Sequence, residues 1–273
     1  MHDITYNVPL ARLAEFRERR VVVRLVDSAD DSEIRKAAPL LVSYVQLAPE
    51  GFDITSLGRW PYEIPVDIVL KDPENEYPTL YEYSRAFSEV PTRVTIPVKR
   101  GFQKAVKLAA SLGLAIKLEP GQPGPDLIDA LQGVLNSYLH DTNVSQPIEF
   151  FHSILSAFYN RTPVPLWAIQ EEDPRIHRYI DDAGAETLSS RFPVEAISGE
   201  LETFVDRFQS ALQAEGAECS QCEYSFLCGG FFKWPDAAYC CEGVRRHFQT
   251  LRDAAEELHR DTAAFAADRK GGG

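Results

Sequence analysis

The first 218 residues of this 273-residue chain contain no cysteine. That excludes a disulfide framework spread through the fold, and a thiolate metal centre built on that part of the chain. No apolar run reaches the length needed to cross a bilayer, and the N-terminus lacks the apolar core of a signal peptide. A cytoplasmic protein with reduced thiols is expected. Positive charge is in short supply: 28 Lys and Arg against 41 Asp and Glu leave a net charge of -13, which argues against nucleic acid or an anionic membrane as the main partner. The chain also has no Gly-rich phosphate loop, no nucleophile elbow, no His-x3-His zinc pair and no repeat at a solenoid period.

What is present begins with a core. Hydrophobic residues make up 44% of the chain, enough for one large domain, or one domain with a small appendage, to fold without cross-links. Residues 1–19 read as a lead-in ending in a charged helical turn from Leu13 to Arg19. Short β-branched or alternating runs then predict five strands, at 21–26, 40–47, 65–71, 93–99 and 114–119; Pro97 inside the fourth suggests a bulge or an edge. Helical periodicity is expected over 78–87 and 101–112, the second ended by Gly113. Strands alternating with helices predict an α/β fold with a parallel sheet, and five strands in this length point to a partial (β/α) barrel or an open sheet rather than a closed eight-strand barrel. After residue 120 the pattern turns helical, at 126–140, 147–159 (opened by Pro147), 200–214 and 244–266, with an irregular stretch over 161–193. Residues 1–193 are expected to form the barrel and 194–273 a C-terminal subdomain.

All five cysteines lie in that second part, at 219, 222, 228, 240 and 241. Four thiolates at one point need a positive centre, and a metal ion or an iron–sulfur cluster supplies it. A C-x2-C pair alone occurs in zinc knuckles and redox motifs alike. The C-x2-C-x5-C spacing from Cys219 through Cys222 to Cys228, followed by Gly229-Gly230 and a later cysteine, is more specific. Structural zinc is the alternative, although the x5 gap suits its usual paired spacing less well. Adjacent side chains rarely reach one centre, so Cys241 or Cys240, not both, is expected as the fourth ligand; Cys241 stands nearer the C-terminal helix.

This stretch resembles the core of the SPASM domain, the auxiliary-cluster domain at the C-terminus of many peptide-modifying radical SAM enzymes. The resemblance implies one [4Fe-4S] cluster on Cys219, Cys222, Cys228 and Cys241 (or Cys240), a partial (β/α) barrel before it, and a precursor peptide or a partner maturation enzyme as ligand. The departures are coherent. The family's C-x3-C-x2-C motif for the SAM-binding cluster is expected in the loop after the first predicted strand, Asp27 to Lys36, which has no cysteine. The further cysteine four positions after Cys228 is Phe232 here, and the upstream pair of a second auxiliary cluster is missing. The resemblance therefore implies a degenerate member that does not use SAM and acts as an accessory protein. A non-radical iron–sulfur enzyme and a zinc-stabilised binding module are the alternatives.

Lys71, Lys99 and Lys117 fall at or near strand C-termini, where such folds gather ligands, and suggest a mouth for a carboxylate-bearing peptide or an acidic partner. Lysines that simply face solvent at strand ends are the alternative. His152 on its apolar helix reads as a packed, hydrogen-bonded residue. The Glu171-Glu172-Asp173 run reads as a solvated loop. Trp167 and Trp234 read as core. One side of a half-barrel sheet is expected to need cover, from the helices at 126–140 and 147–160 or from a partner.

Overall fold

The computed structural model describes residues 4–25, 41–49, 54, 63–142, 144–188 and 200–271, with side chains to 265. The expectations for Asp27 to Lys36 and for residues 189–193 lie outside the described residues. Among the described residues nine strands form one sheet: β1 Thr5–Pro9, β2 Arg20–Leu25, β3 Val42–Leu47, β4 Val66–Val69, β5 Thr92–Pro97, β6 Ala115–Glu119, β7 Ile148–Glu149, β8 His177–Ile180 and β9 Glu186–Thr187. Their order is β7-β6-β5-β4-β3-β2-β1-β8-β9, and every neighbouring pair is parallel except β8 with β9. The α-helices among the described residues are α1 Pro73–Glu76, α2 Leu80–Ala86, α3 Phe102–Ser111, α4 Pro125–His140, α5 Phe151–Asn160, α6 Leu166–Ile169, α7 Phe204–Ala214, α8 Ser225–Cys228 and α9 Glu242–Gly271. The expected α/β class with a mostly parallel sheet is observed.

Five strands differ from the sequence reading. The lead-in holds β1, because Tyr6 and Val8 pair into the centre of the sheet beside Val21 and Val23. Residues 147–150 do not open a helix: Ile148 and Glu149 add β7 to the edge of the sheet, and Phe150 sits at φ 85° before α5 begins. The irregular stretch contains β8, which returns to pair with β1, and β9. β5 is neither bulged at Pro97 nor an edge; it lies between β4 and β6, with Pro97 as its last residue opposite Glu119.

The sheet curls. Tyr179 of β8 and Glu119 of β6 are six strands apart, about 29 Å in a flat sheet, yet both line one cavity. The result is an open barrel whose edges are β7 and β9. Its outer face is apolar: Val8, Val23, Val45, Ile68, Ile96 and Leu118 are buried in a single cluster with the helices that cross between strands. α3 shows why the helices stay. Phe102, Ala105, Val106 and Ala109 recur on one face and are buried, leaving Lys104 and Lys107 exposed. The same cluster runs on into the C-terminal segment through Phe231, Phe232 and Phe248, and α9 packs along α5 and α4. Each buried side chain of this size contributes about 1.5–3 kcal/mol. The inner face is polar, so no large apolar sheet face waits for cover.

Candidate functional site

Two constellations stand out, one of sulfur and one of charge. The first is built by a succession of tight turns. A 3-10 turn, Glu218–Gln221, carries Cys219 and ends at Cys222; α8 ends at Cys228; a second 3-10 turn, Phe231–Lys233, follows; and Cys241 precedes the first residue of α9. Gly229 and Gly230 join the two middle turns at φ 57° and 76°. At φ 76° Gly230 takes a left-handed conformation that a side chain would strain, and a Cβ there would also press on Leu212 Cδ1 at 2.7 Å. Trp167 Nε1 donates to the Gly229 carbonyl at 2.9 Å and fixes the turn against α6.

Cys219, Cys222, Cys228 and Cys241 line one small cavity with Phe232, Val244 and Phe248; its free space is about 20 Å³. Cys240 is exposed and is not part of that lining. Burial pushes the Cys228 thiol up to about 11, against main-chain hydrogen bonds from Phe232 and Phe231 that favour the thiolate. Burial and the Cys228 sulfur raise Cys241 as well. Lys233 is 4% exposed, and its ammonium lies between Glu218 Oε1 at 2.7 Å and the Tyr239 carbonyl. Glu218 also accepts from the Cys241 main-chain N–H at 3.1 Å and approaches Arg245 at 3.5 Å. Among the described residues no group of three or more His, Cys, Asp or Glu side chains is placed to hold a single metal ion.

These residues suit a thiolate-bound iron–sulfur group. The donors are four sulfurs, a buried cation stands beside them, main-chain N–H groups point at one sulfur, and the positive end of a 30-residue helix begins at the fourth. Each feature offsets negative charge.

The second constellation lies inside the barrel. Parallel strands covered on both faces ordinarily carry apolar residues on both, but here the inward positions are Asn7, Arg24, Tyr44, Gln46, Asp67, Arg93, Thr95 and Lys117. Arg24 donates to the Asn7 side chain at 2.8 Å and to the Ile180 carbonyl of β8 at 2.5 Å. Asn7 donates to Gln46 at 2.8 Å, and Gln46 to Asp67 at 3.3 Å. Asp67 also accepts from Arg93 and Thr95, both at 2.8 Å. Glu171 closes the network from the segment before β8: it accepts from Lys117 at 2.7 Å, Tyr44 at 2.9 Å and Arg93 at 3.2 Å.

Burial alone would raise the Glu171 carboxyl, but Lys117 and Arg93 hold it well below the usual carboxylate range. Burial opposes the charge on Lys117, yet Glu171 and Glu119 raise it. Arg93, Lys117 and Glu171 are thus held in their charged forms, each bonded within the network. Such a set rigidifies; it offers no acid or base poised near neutrality. Glu171 adopts φ 60°, a left-handed conformation that a glutamate reaches only when its surroundings enforce it.

This placement corrects two readings. The Glu171-Glu172-Asp173 run is not a solvated loop, because Glu171 enters the barrel and Asp173 is buried against Arg175. The three lysines do not form one ring. Lys117 is 2% exposed and points inward, while Lys71 and Lys99 are exposed, with Lys99 Nζ 3.5 Å from the Lys71 carbonyl. Only Lys99 lines the cavity of about 480 Å³ at the strand C-termini, where Glu119, Gln170, Glu172, Tyr179 and Phe231 face it. His152 is exposed and bonds to the Tyr138 hydroxyl at 3.0 Å rather than packing inside. Trp167 is fully buried, in the core.

The C-x3-C-x2-C expectation needs a change of place as well. The first strand is β1, and the 3-10 segment Leu10–Phe16 that follows it carries no cysteine either. The interior network had a sequence signal. Polar residues alternate with apolar ones on strands that the βα order makes parallel, and such strands are seldom solvated on one side. Comparison with models of known protein families, with curated proteins and with solved structures found no match to this chain.

Proposed function

We propose that the chain is an iron–sulfur accessory protein, a degenerate relative of the radical SAM/SPASM enzymes, that acts with a precursor peptide or a partner enzyme in peptide or cofactor maturation. Cys219, Cys222, Cys228 and Cys241 would hold one [4Fe-4S] cluster. The observation that carries this reading is the sorting of the five cysteines: four line one buried cavity beside Lys233, and the fifth, Cys240, stands outside in solvent. When bound, such a cluster cross-links the segment and relays single electrons. The chain's own residues would supply the rest. Lys233 and the start of α9 offset negative charge, Phe231 and Phe232 donate main-chain hydrogen bonds, and the aromatic shell of Phe232 and Phe248 keeps water out. The curled, open parallel sheet supports the same relationship in outline. With no cysteine before Cys219, the chain has no ligands for the open-iron cluster that cleaves SAM.

The test is anaerobic purification with metal and sulfide analysis. About four irons and four sulfides per chain, and a brown colour, are expected. Stoichiometric zinc without iron would overturn the reading in favour of a zinc-stabilised module. Reduced with dithionite and given SAM, the protein alone should form no 5′-deoxyadenosine; enzyme-dependent cleavage would overturn the degenerate assignment. Turnover of a peptide without any partner would make it an enzyme in its own right.

A further inference from the structure

Away from both constellations, a groove of about 720 Å³ lies between the end of α4, the segment leading into β7, α5 and α9. Its lining is largely apolar. Leu139, Val144, Pro147, Leu155 and Ala254 are only half-buried there, and Leu258 is 45% exposed. Leu139, Val144 and Leu155 pack against the core, so the groove is an opening at which the core's apolar surface continues to the outside. Apolar surface left open in this way and edged by polar groups marks an interaction site.

The charge along one wall is specific. Glu257 and Asp261 of α9 both line the groove, and neither has an ion-pair or hydrogen-bond partner among the described residues. Standing at i and i+4, they repel each other on one helix face. His140 and His152 line the groove as well, the latter bonded to the Tyr138 hydroxyl at 3.0 Å, but no lysine or arginine does. The complement that fits is a cation joined to an apolar surface. A second copy of this chain does not supply it, because it brings the same two carboxylates and a net charge of -13. Four residues of α9 separate the carboxylates by about 6 Å along its axis, which is also the spacing of basic residues at i and i+4 on a docked helix.

We propose that this groove docks a basic amphipathic helix of a partner protein, with Lys or Arg at i and i+4 meeting Glu257 and Asp261 and the helix's apolar residues filling the space beside Leu155 and Leu258. The inference goes beyond the proposed function and does not call on the cluster. Ala254, where the groove begins on α9, is about 20 Å along that helix from Cys241.

The experiment is fluorescence anisotropy of a labelled peptide, two copies of Ala-Lys-Leu-Ala-Ala-Lys-Leu, titrated with the full chain at low salt. One comparison peptide carries glutamate for lysine and another serine for leucine. The lysine–leucine peptide should bind with a dissociation constant of about 100 μM or tighter, more weakly as salt is raised, and each comparison peptide about tenfold less well. Glu257→Lys with Asp261→Lys should weaken binding about tenfold, and Leu258→Ser about fivefold. Glu82→Lys with Glu89→Lys makes the same change in net charge on exposed residues outside the groove and should leave binding within about twofold. All these side chains are exposed, and thermal unfolding of each variant checks that the fold is kept. The proposal is overturned if the lysine–leucine peptide does not bind, if either comparison peptide binds as well, or if the outside pair weakens binding as much as the groove pair. Sedimentation without peptide should show no dimer held by this face; a dimer broken by Leu258→Ser would give the groove to a second copy and overturn the proposal. Iron and sulfide are measured on the same samples. A loaded protein that ignores the peptide ends this inference alone, whereas specific binding by an iron-free chain ends the cluster reading and keeps this one.

Discussion

Glu171 Oε2 accepts a 2.7 Å hydrogen bond from Lys117 Nζ, and that contact ties the segment entering β8 to β6 across the inside of the curled sheet. Lys117 is almost fully buried, so its partner cannot be removed without cost. Lys117→Met should destabilise the protein by about 3 kcal/mol, because it strands a buried carboxylate. Adding Glu171→Met should recover part of that loss, since a buried pair exchanged for apolar side chains is often near neutral. Urea unfolding of the two single variants and the double one measures the coupling. Strictly additive losses would show that the pair does not act as a unit.

How much of this was open to a reader of the sequence depends on the residue. Val66 to Val69 and Ala115 to Glu119 announce themselves, because β-branched and alternating residues must pair and bury one face. β1, with Pro9 at its end and Asn7 in its middle, has no local advantage as a strand; only pairing with β2 and β8 makes it one. Cys219, Cys222 and Cys228 are legible through spacing, since tight turns set their separation within a dozen residues. Glu171 is not, because its partners lie 54, 78 and 127 residues away and nothing local distinguishes it from Glu172. Lys233 escapes for a similar reason. A lysine between Phe232 and Trp234 is unusual, but only the fold shows the cysteines around it.

His247 gives the pH dependence its sign. Its Nε2 lies 3.1 Å from the Ile128 carbonyl, so the neutral ring donates there, and Nδ1 is buried with no partner among the described residues. Burial holds its pKa down at about 4, against an ordinary 6.5. The unfolded chain therefore takes up the proton first as pH falls. The stability from the neutral ring is complete above about pH 6.5 and is lost on the way down to about 4, to the extent of about 3 kcal/mol. Unfolding free energies at pH 7 and pH 4 should converge by that amount in favour of His247→Gln, which keeps a donor for the carbonyl without the titration. An unchanged difference between the two pH values would remove His247 as the cause.

Cys240 and Cys241 are neighbours in sequence with opposite surroundings. Cys241→Ser should lose the visible absorption of the proposed cluster and loosen the start of α9, because ligand binding and folding are coupled there. Cys240→Ser should keep both. Iron analysis and absorption spectra of the two variants, prepared side by side without oxygen, separate them. Loss of iron in Cys240→Ser with retention in Cys241→Ser would exchange their roles.

Lys233 and Glu218 then bear on the potential of such a cluster. The ammonium is buried next to Cys219 and Cys241, and the carboxylate that neutralises it is partly open to solvent. A cation held at this position favours the reduced, more negative form of a thiolate-bound centre; a carboxylate disfavours it. Lys233→Met should therefore shift the reduction potential downward and Glu218→Gln upward. The opposite signs matter, because a mere loosening of the packing would not distinguish between the two changes. Redox titration of wild type and both variants, each shown by its iron content to be fully loaded, gives the comparison. Equal potentials in all three, or shifts of the same sign, would mean that this buried ion pair only holds the turn before Cys241 in place.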